Sequence, residues 1–176
     1  LSLTEKELLH FDQIMIVACG TAYHAGMGGK YLIEHLARLP VAVDVSSEFR
    51  YRSPIISKKT LVVAISQSGE TADTLAAVKE AKLKGAKVIS ICNVVGSSLA
   101  RESDGVLYTH AGPEIGVAST KAYTAQLAML YLFAIKLGVI RKRLSPKNSK
   151  RLIKDLKHVP ALYNEILRHK PTIAKI

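Results

Sequence analysis

The sequence predicts an α/β fold: an open, doubly wound parallel sheet of five strands with helices on both faces. Three observations predict it. Strand-length apolar runs alternate with helix-length segments from residue 13 to residue 137. The runs are apolar at consecutive positions, as expected of strands covered on both faces. The links between them are long enough for the helical crossovers that parallel neighbours require. With 176 residues, 48% of them hydrophobic, the chain can bury one substantial core.

Ser2, with Glu5 three positions later, reads as a capping box opening a short helix through His10. Gln13 to Ala18 is the first strand. Gly20 turns the chain, and Ala22 to Arg38 carries Ala25, Leu32, Ile33 and Leu36 at helical spacing until Pro40 ends the segment. Val41 to Val45 is the second strand, and Ser47 caps one or two turns through Tyr51. Leu61 to Ile65 is the third strand. The polar turn Ser66 to Thr71 then enters a helix, Asp73 to Leu83, closed by Gly85. Lys87 to Cys92, Ser98 to Glu102 and Gly105 to Tyr108 read as strand, short helix and strand. A long helix from Ser119 to Leu137 follows, with basic helices Ser149 to Lys157 and Ala161 to Arg168 on either side of Pro160. Residues 1–138 thus make a three-layer αβα sandwich, and residues 139–176 a basic helical tail. Five-stranded sheets of this kind favour the flavodoxin-like order 2-1-3-4-5, with the ligand crevice between strands one and three.

Charge is concentrated in the tail. From Val139 to Ile176 there are 11 Lys and Arg against Asp155 and Glu165, within a chain of net charge +11. A basic helical segment without interleaved aromatic residues reads as a solvated face or a surface for a further part of the protein, with nucleic acid the lesser alternative. Cys19 and Cys92 stand in separate apolar runs as free buried thiols, and no CxxC, HxxxH or HExxH spacing supports a metal or other cofactor. The segment Gln126 to Leu137 is too short and amphipathic for a membrane span, and Leu1 to Phe11 lacks the order of a signal peptide. A cytoplasmic protein is expected.

The two turns with unusual chemistry follow the first and third strands. Ser66-Gln67-Ser68-Gly69-Glu70-Thr71 puts three hydroxyls, an amide and a glycine at a helix N-terminus, where unpaired N–H groups and the helix dipole favour an anion. A plain N-cap needs one hydroxyl. Glu70 is expected to point away and complement the helix from outside. Cys19-Gly20-Thr21 faces this turn across the predicted crevice. Gly26, Gly28, Gly29 and Lys30 match neither GxGxxG nor GxxxxGK[ST], so a dinucleotide or P-loop site is rejected. Glu114 to Lys121 leaves the fifth strand on the same edge, with Lys121 expected to turn outward.

Ala18 to Tyr23, Ser47 to Arg52, Ser66 to Thr74 and Glu114 to Lys121 together resemble the first sugar isomerase (SIS) lobe of the glucosamine-6-phosphate synthase family, in order from Ile14 to Gly138. The resemblance implies that Ser66, Gln67, Ser68 and Thr71 hold a sugar phosphate, while Thr21, Val117 and Ser119 approach the sugar, with Cys19, Gly20 and Ala118 also among the substrate-binding residues. It implies fructose 6-phosphate or glucosamine 6-phosphate as ligand, and a second SIS lobe, a glutaminase domain and a homodimer partner. It assigns the catalytic Glu, His and Lys of isomerisation to parts outside this sequence, so no catalytic residue is carried over and the chain alone is expected to be inactive. The competing reading is a non-catalytic SIS sensor of sugar phosphates, which would be expected to carry a helix-turn-helix domain.

Overall fold

The computed structural model describes residues 2–170; Leu1 and residues 171–176, the end of the predicted tail, lie outside the described residues. Five strands, β1 (Gln13–Ala18), β2 (Val41–Val45), β3 (Thr60–Ser66), β4 (Lys87–Cys92) and β5 (Gly105–Tyr108), form one all-parallel sheet in the order β2-β1-β3-β4-β5. The helices are α1 (Glu5–His10), α2 (Gly20–Ala37), α3 (Ser46–Tyr51), α4 (Ala72–Leu83), α5 (Ser98–Glu102), α6 (Lys121–Ile140) and α7 (Pro146–Leu167). The fold is the predicted doubly wound sandwich.

The pleat divides the core. Ile14, Ile16, Leu61, Val63, Ile65, Ile89 and Ile91 face the layer of α1, α2 and α6. Met15, Val17, Val62, Ala64 and Val88 face the opposite layer, with Phe49 of α3, Ala77, Val78 and Ala81 of α4, and Leu99 of α5. Every residue of β3 is buried. In β1 and β4 every residue after the first is buried as well, so these three inner strands read as largely apolar runs, whereas the edge strand β2 is only partly buried and carries Asp44.

The glycines of α2 serve packing. A Cβ on Gly29 would lie 2.8 Å from Leu130 Cδ2 and one on Gly28 would lie 3.1 Å from Leu127 Cδ2, so α6 approaches α2 closely along this stripe. Gly26 meets Ile16 and Val43 of the sheet in the same way. Helix α6 is also long and apolar enough to cross a membrane. Its buried residues, among them Leu130, Phe133, Ala134 and Leu137, belong to the core packed on the sheet.

Three local expectations are corrected. The first capping box is Thr4 with Glu7, not Ser2 with Glu5. This frame sets Leu3 and Leu8 at the staple positions, and both are buried in the core. Helix α3 begins at Ser46 after Val45, so Ser47 is inside the helix and not its cap. Ser46 is instead buried, with its hydroxyl 3.2 Å from that of Thr74 on α4. The two tail helices are one, α7, with Pro160 in its interior. Pro160 and all residues after it in this helix are exposed, so water can serve the carbonyl that proline leaves unpaired.

Candidate functional site

The carboxyl ends of β1 and β3 lie side by side, Ala18 in register with Ile65; β1 passes into α2 through Cys19 alone and β3 into α4 through the turn Gln67 to Thr71. Cys19 is the N-cap of α2 and Thr71 that of α4, and neither side chain bonds its helix. Two helix N-termini without side-chain caps thus open toward one crevice, with unpaired backbone donors and partial positive charge. Gly20 makes the first of these turns at φ +55° and Gly69 the second at φ +70°.

Between them lies a cavity of about 240 Å³, lined by Cys19, Gly20, Thr21, Ser66, Gln67, Ser68, Thr71, Gly116, Val117, Ser119 and Gln126, with Ala22 and Ile65 behind. Of the ten site residues predicted, nine line it. Ala118 does not; it is exposed in the loop between two lining neighbours. Larger hollows exist elsewhere, such as the groove of about 420 Å³ between α1 and α6, but that one is lined mainly by apolar side chains.

The turn after β3 is held by its own hydroxyls. Ser66 Oγ accepts from Gly69 N at 3.0 Å and lies 3.2 Å from Thr71 Oγ1, and Ser68 Oγ accepts from Glu70 N at 3.2 Å. Ser68 accepts and keeps its own hydrogen for an anion in the cavity, and the Ser66–Thr71 pair, in which one hydroxyl donates to the other, keeps one more. Neighbouring elements fix the turn from outside: Asn93 N donates to Gln67 O at 3.2 Å and Leu99 N to Gly69 O at 2.9 Å.

Both acidic residues of these loops turn away from the cavity. Glu70 Oε1 accepts from Ser98 N at 2.8 Å, at the start of α5, and this bond holds its carboxyl below the ordinary glutamate value. Its charge therefore complements α5 rather than α4. Glu114 accepts from Ala122 N at 2.9 Å and from Thr120 N at 3.1 Å, bonds that lower its pKa likewise. It caps α6 and ties the loop of Gly116 to Ser119 to that helix. Stabilisation from a lowered carboxyl is fully present above the ordinary glutamate pKa of about 4.3 and is lost as pH falls through the folded value. Glu114→Ala is expected to lower the unfolding temperature at neutral pH, with the deficit shrinking below about pH 4. A deficit unchanged down to pH 3 would contradict the cap.

Lys121 turns outward as expected, into a separate cleft with His110, Thr124 and Tyr163. In the segment Ser47 to Arg52, Phe49 is buried, Arg50 pairs with Asp73 at 3.0 Å and Arg52 pairs with Asp44, so this motif braces α4 rather than entering the cavity. Four lining residues lay outside the ten predicted, Ala22, Ile65, Gly116 and Gln126, and of these Gln126 alone has a polar side chain. Its signal was an amide on a helix face whose neighbours one turn away, Ala122 and Leu130, are apolar.

The SIS domain family matches residues 7–136. The chain belongs to that family. It is 55% identical over 175 residues to a glutamine–fructose-6-phosphate aminotransferase [isomerizing] of Caldanaerobacter subterraneus subsp. tengcongensis, covering 99% of this chain and 29% of the relative. The enzyme of the same name from Clostridium acetobutylicum is 53% identical over the same length, again with 29% of the relative covered. The chain thus spans about 29% of the length of these curated relatives, and its SIS domain is homologous to the SIS part of that enzyme. Among solved structures it matches the C-terminal domain of glucosamine-fructose-6-phosphate aminotransferase from Francisella tularensis, with a TM-score of 0.93 and 42% identity over 97% of this chain and 49% of that one.

Proposed function

We propose that this SIS domain binds a hexose 6-phosphate, fructose 6-phosphate or glucosamine 6-phosphate, as the sugar-phosphate lobe of an isomerising aminotransferase in amino-sugar synthesis. The observation that carries the reading is the meeting of two helix N-termini without side-chain caps and a set of donor hydroxyls around one small cavity. Ser66, Ser68, Thr71 and the Gln67 amide surround the phosphate, assisted by the first N–H groups of α4. Cys19, Gly20, Thr21, Val117 and Ser119 flank the sugar. The family resemblance implies the rest of the proposal, a second SIS lobe and a glutaminase domain in the same longer chain, a homodimer as the assembly and the cytoplasm as the compartment, and the greater length of the relatives leaves room for the two further domains.

Calorimetry with fructose 6-phosphate and with fructose tests the reading. Hydrogen bonds to a charged group contribute about 1.5 to 3 kcal/mol each, so the phosphate ester is expected to bind at least about tenfold more tightly than the free sugar. Thr71→Ala should weaken binding by a similar factor, while Ser98→Ala, outside the cavity, leaves it unchanged. Equal affinity for the two sugars sinks the assignment.

A further inference from the structure

Among the described residues, two buried side-chain polar atoms have no hydrogen-bond partner, Ser90 Oγ and Gln126 Oε1. Their surroundings differ. Ser90 is in the middle of β4, in register with Ala64 and Val106, and is not among the residues lining the cavity. Gln126 stands in the second turn of α6, is 2% exposed, and lines the cavity. A buried amide without a partner destabilises a protein, and native structures hold few of them. One that lines a ligand cavity has a physical reason when the ligand completes it.

We propose that Gln126 is a further sugar-contacting residue, its side-chain amide sharing a hydrogen bond with a hydroxyl of the bound sugar phosphate. The inference rests on the reading of the cavity given above. Gln126 reaches the cavity from α6, a different element from the phosphate cradle, and the loop that leads into α6 brings Gly116, Val117 and Ser119 to the same cavity. What it meets is therefore the end of the ligand away from the phosphate. The chemistry selects the same end. An amide oxygen needs a donor, and turning the group by 180° presents its NH₂ in place of the oxygen. A sugar hydroxyl satisfies either orientation, because it both donates and accepts, whereas a phosphate dianion only accepts. Gln126 accordingly contributes to discrimination between a sugar phosphate and phosphate alone.

Calorimetry and thermal unfolding of this chain decide the matter, with fructose 6-phosphate and inorganic phosphate as separate probes. Gln126→Met, which keeps the side chain's length and removes its polarity, is expected to weaken fructose 6-phosphate about tenfold, equivalent to about 1.4 kcal/mol. Affinity for inorganic phosphate should stay within about twofold. The unfolding temperature of the ligand-free variant should equal or exceed that of the parent, because an unpaired group is removed and no bond is broken. Ser90→Ala should show the same stability response with unchanged affinities, and Gln126→Leu replaces the Met variant if that one fails to fold. Unchanged fructose 6-phosphate affinity in a folded Gln126 variant overturns the proposal. So does an equal loss for both probes, or a lowered unfolding temperature, which would mark a structural role. Failure of the parent chain to bind fructose 6-phosphate at all would refute the reading of the cavity itself, and the role of Gln126 with it.

Discussion

Gly69→Ala is expected to destabilise the fold by about 3 kcal/mol and to remove fructose 6-phosphate binding at concentrations where the parent chain is saturated. Two physical effects combine. Gly69 sits at φ +70°, where an L side chain costs about 1 to 2 kcal/mol. Its Cβ would also lie 2.5 Å from Ser97 Cβ, 2.1 Å from Ser97 Oγ and 2.8 Å from Cys92 Sγ, so Ser97 as a whole must move, not only its hydroxyl. Overpacking of this kind costs about 1 to 3 kcal/mol. Ser97 is buried, lies 3.3 Å from Cys92 Sγ through its hydroxyl, and is the N-cap of α5, while Gly69 O accepts from Leu99 N in that helix. The displacement is thus transmitted to the turn that carries Ser66, Ser68 and Thr71. For a domain of this size the loss corresponds to a fall of roughly 6 to 12 °C in unfolding temperature. Gly20→Ala is the comparison: Gly20 has φ +55° but no atom within 4 Å of the added Cβ, so only the backbone penalty of about 1 to 2 kcal/mol applies. Equal responses of the two variants in urea titrations would show that the contact with Ser97 carries no energy.

The same turn shows why much of the site was legible in the sequence. Hydroxyls, an amide and a glycine between a buried strand and a helix have few explanations, and the placement of that strand beside β1 follows from the common order of five-stranded parallel sheets. The inner strands were legible because burial on both faces keeps them almost wholly apolar, Ser90 of β4 being the polar residue inside a run. Other features depend on packing that local pattern does not encode. Ser2 with Glu5 and Thr4 with Glu7 both satisfy the capping spacing, and only the burial of Leu3 and Leu8 against the core selects the second. Gly28 and Gly29 have no local explanation until Leu127 and Leu130 of α6 lie against them, a contact about a hundred residues away in sequence. Gln126 was hidden for the same reason. Its functional meaning comes from which face of α6 reaches the cavity, and that is set by the packing of α6 on α2.

Purified as it stands, this chain is expected to form no glucosamine 6-phosphate from fructose 6-phosphate, with either glutamine or ammonia as nitrogen source. Opening the sugar ring and moving a proton between C1 and C2 require a positioned acid and base within hydrogen-bond reach, about 3 Å, of the reacting atoms. Among the described residues, those lining the cavity include no carboxylate, imidazole or amine: Glu70 is bonded to the N-terminus of α5, Glu114 to that of α6, and Lys121 opens into the cleft with His110 and Tyr163. Hydroxyls, amides and helix N-termini orient and hold an anionic sugar without exchanging its carbon-bound protons at neutral pH. Each missing general acid or base removes a factor of about 10² to 10⁴ in rate, so the absence of both leaves binding without turnover. This agrees with the family resemblance, which assigns those groups to parts outside the sequence, and with relatives of which this chain spans only 29%. The assay compares the parent chain with Thr71→Ala and Lys121→Ala under saturating fructose 6-phosphate. All three should give the same background rate. Turnover well above the Thr71→Ala level that disappears in Lys121→Ala would place a catalytic amine in this lobe and require the loop from Glu114 to Lys121 to swing its lysine into the cavity.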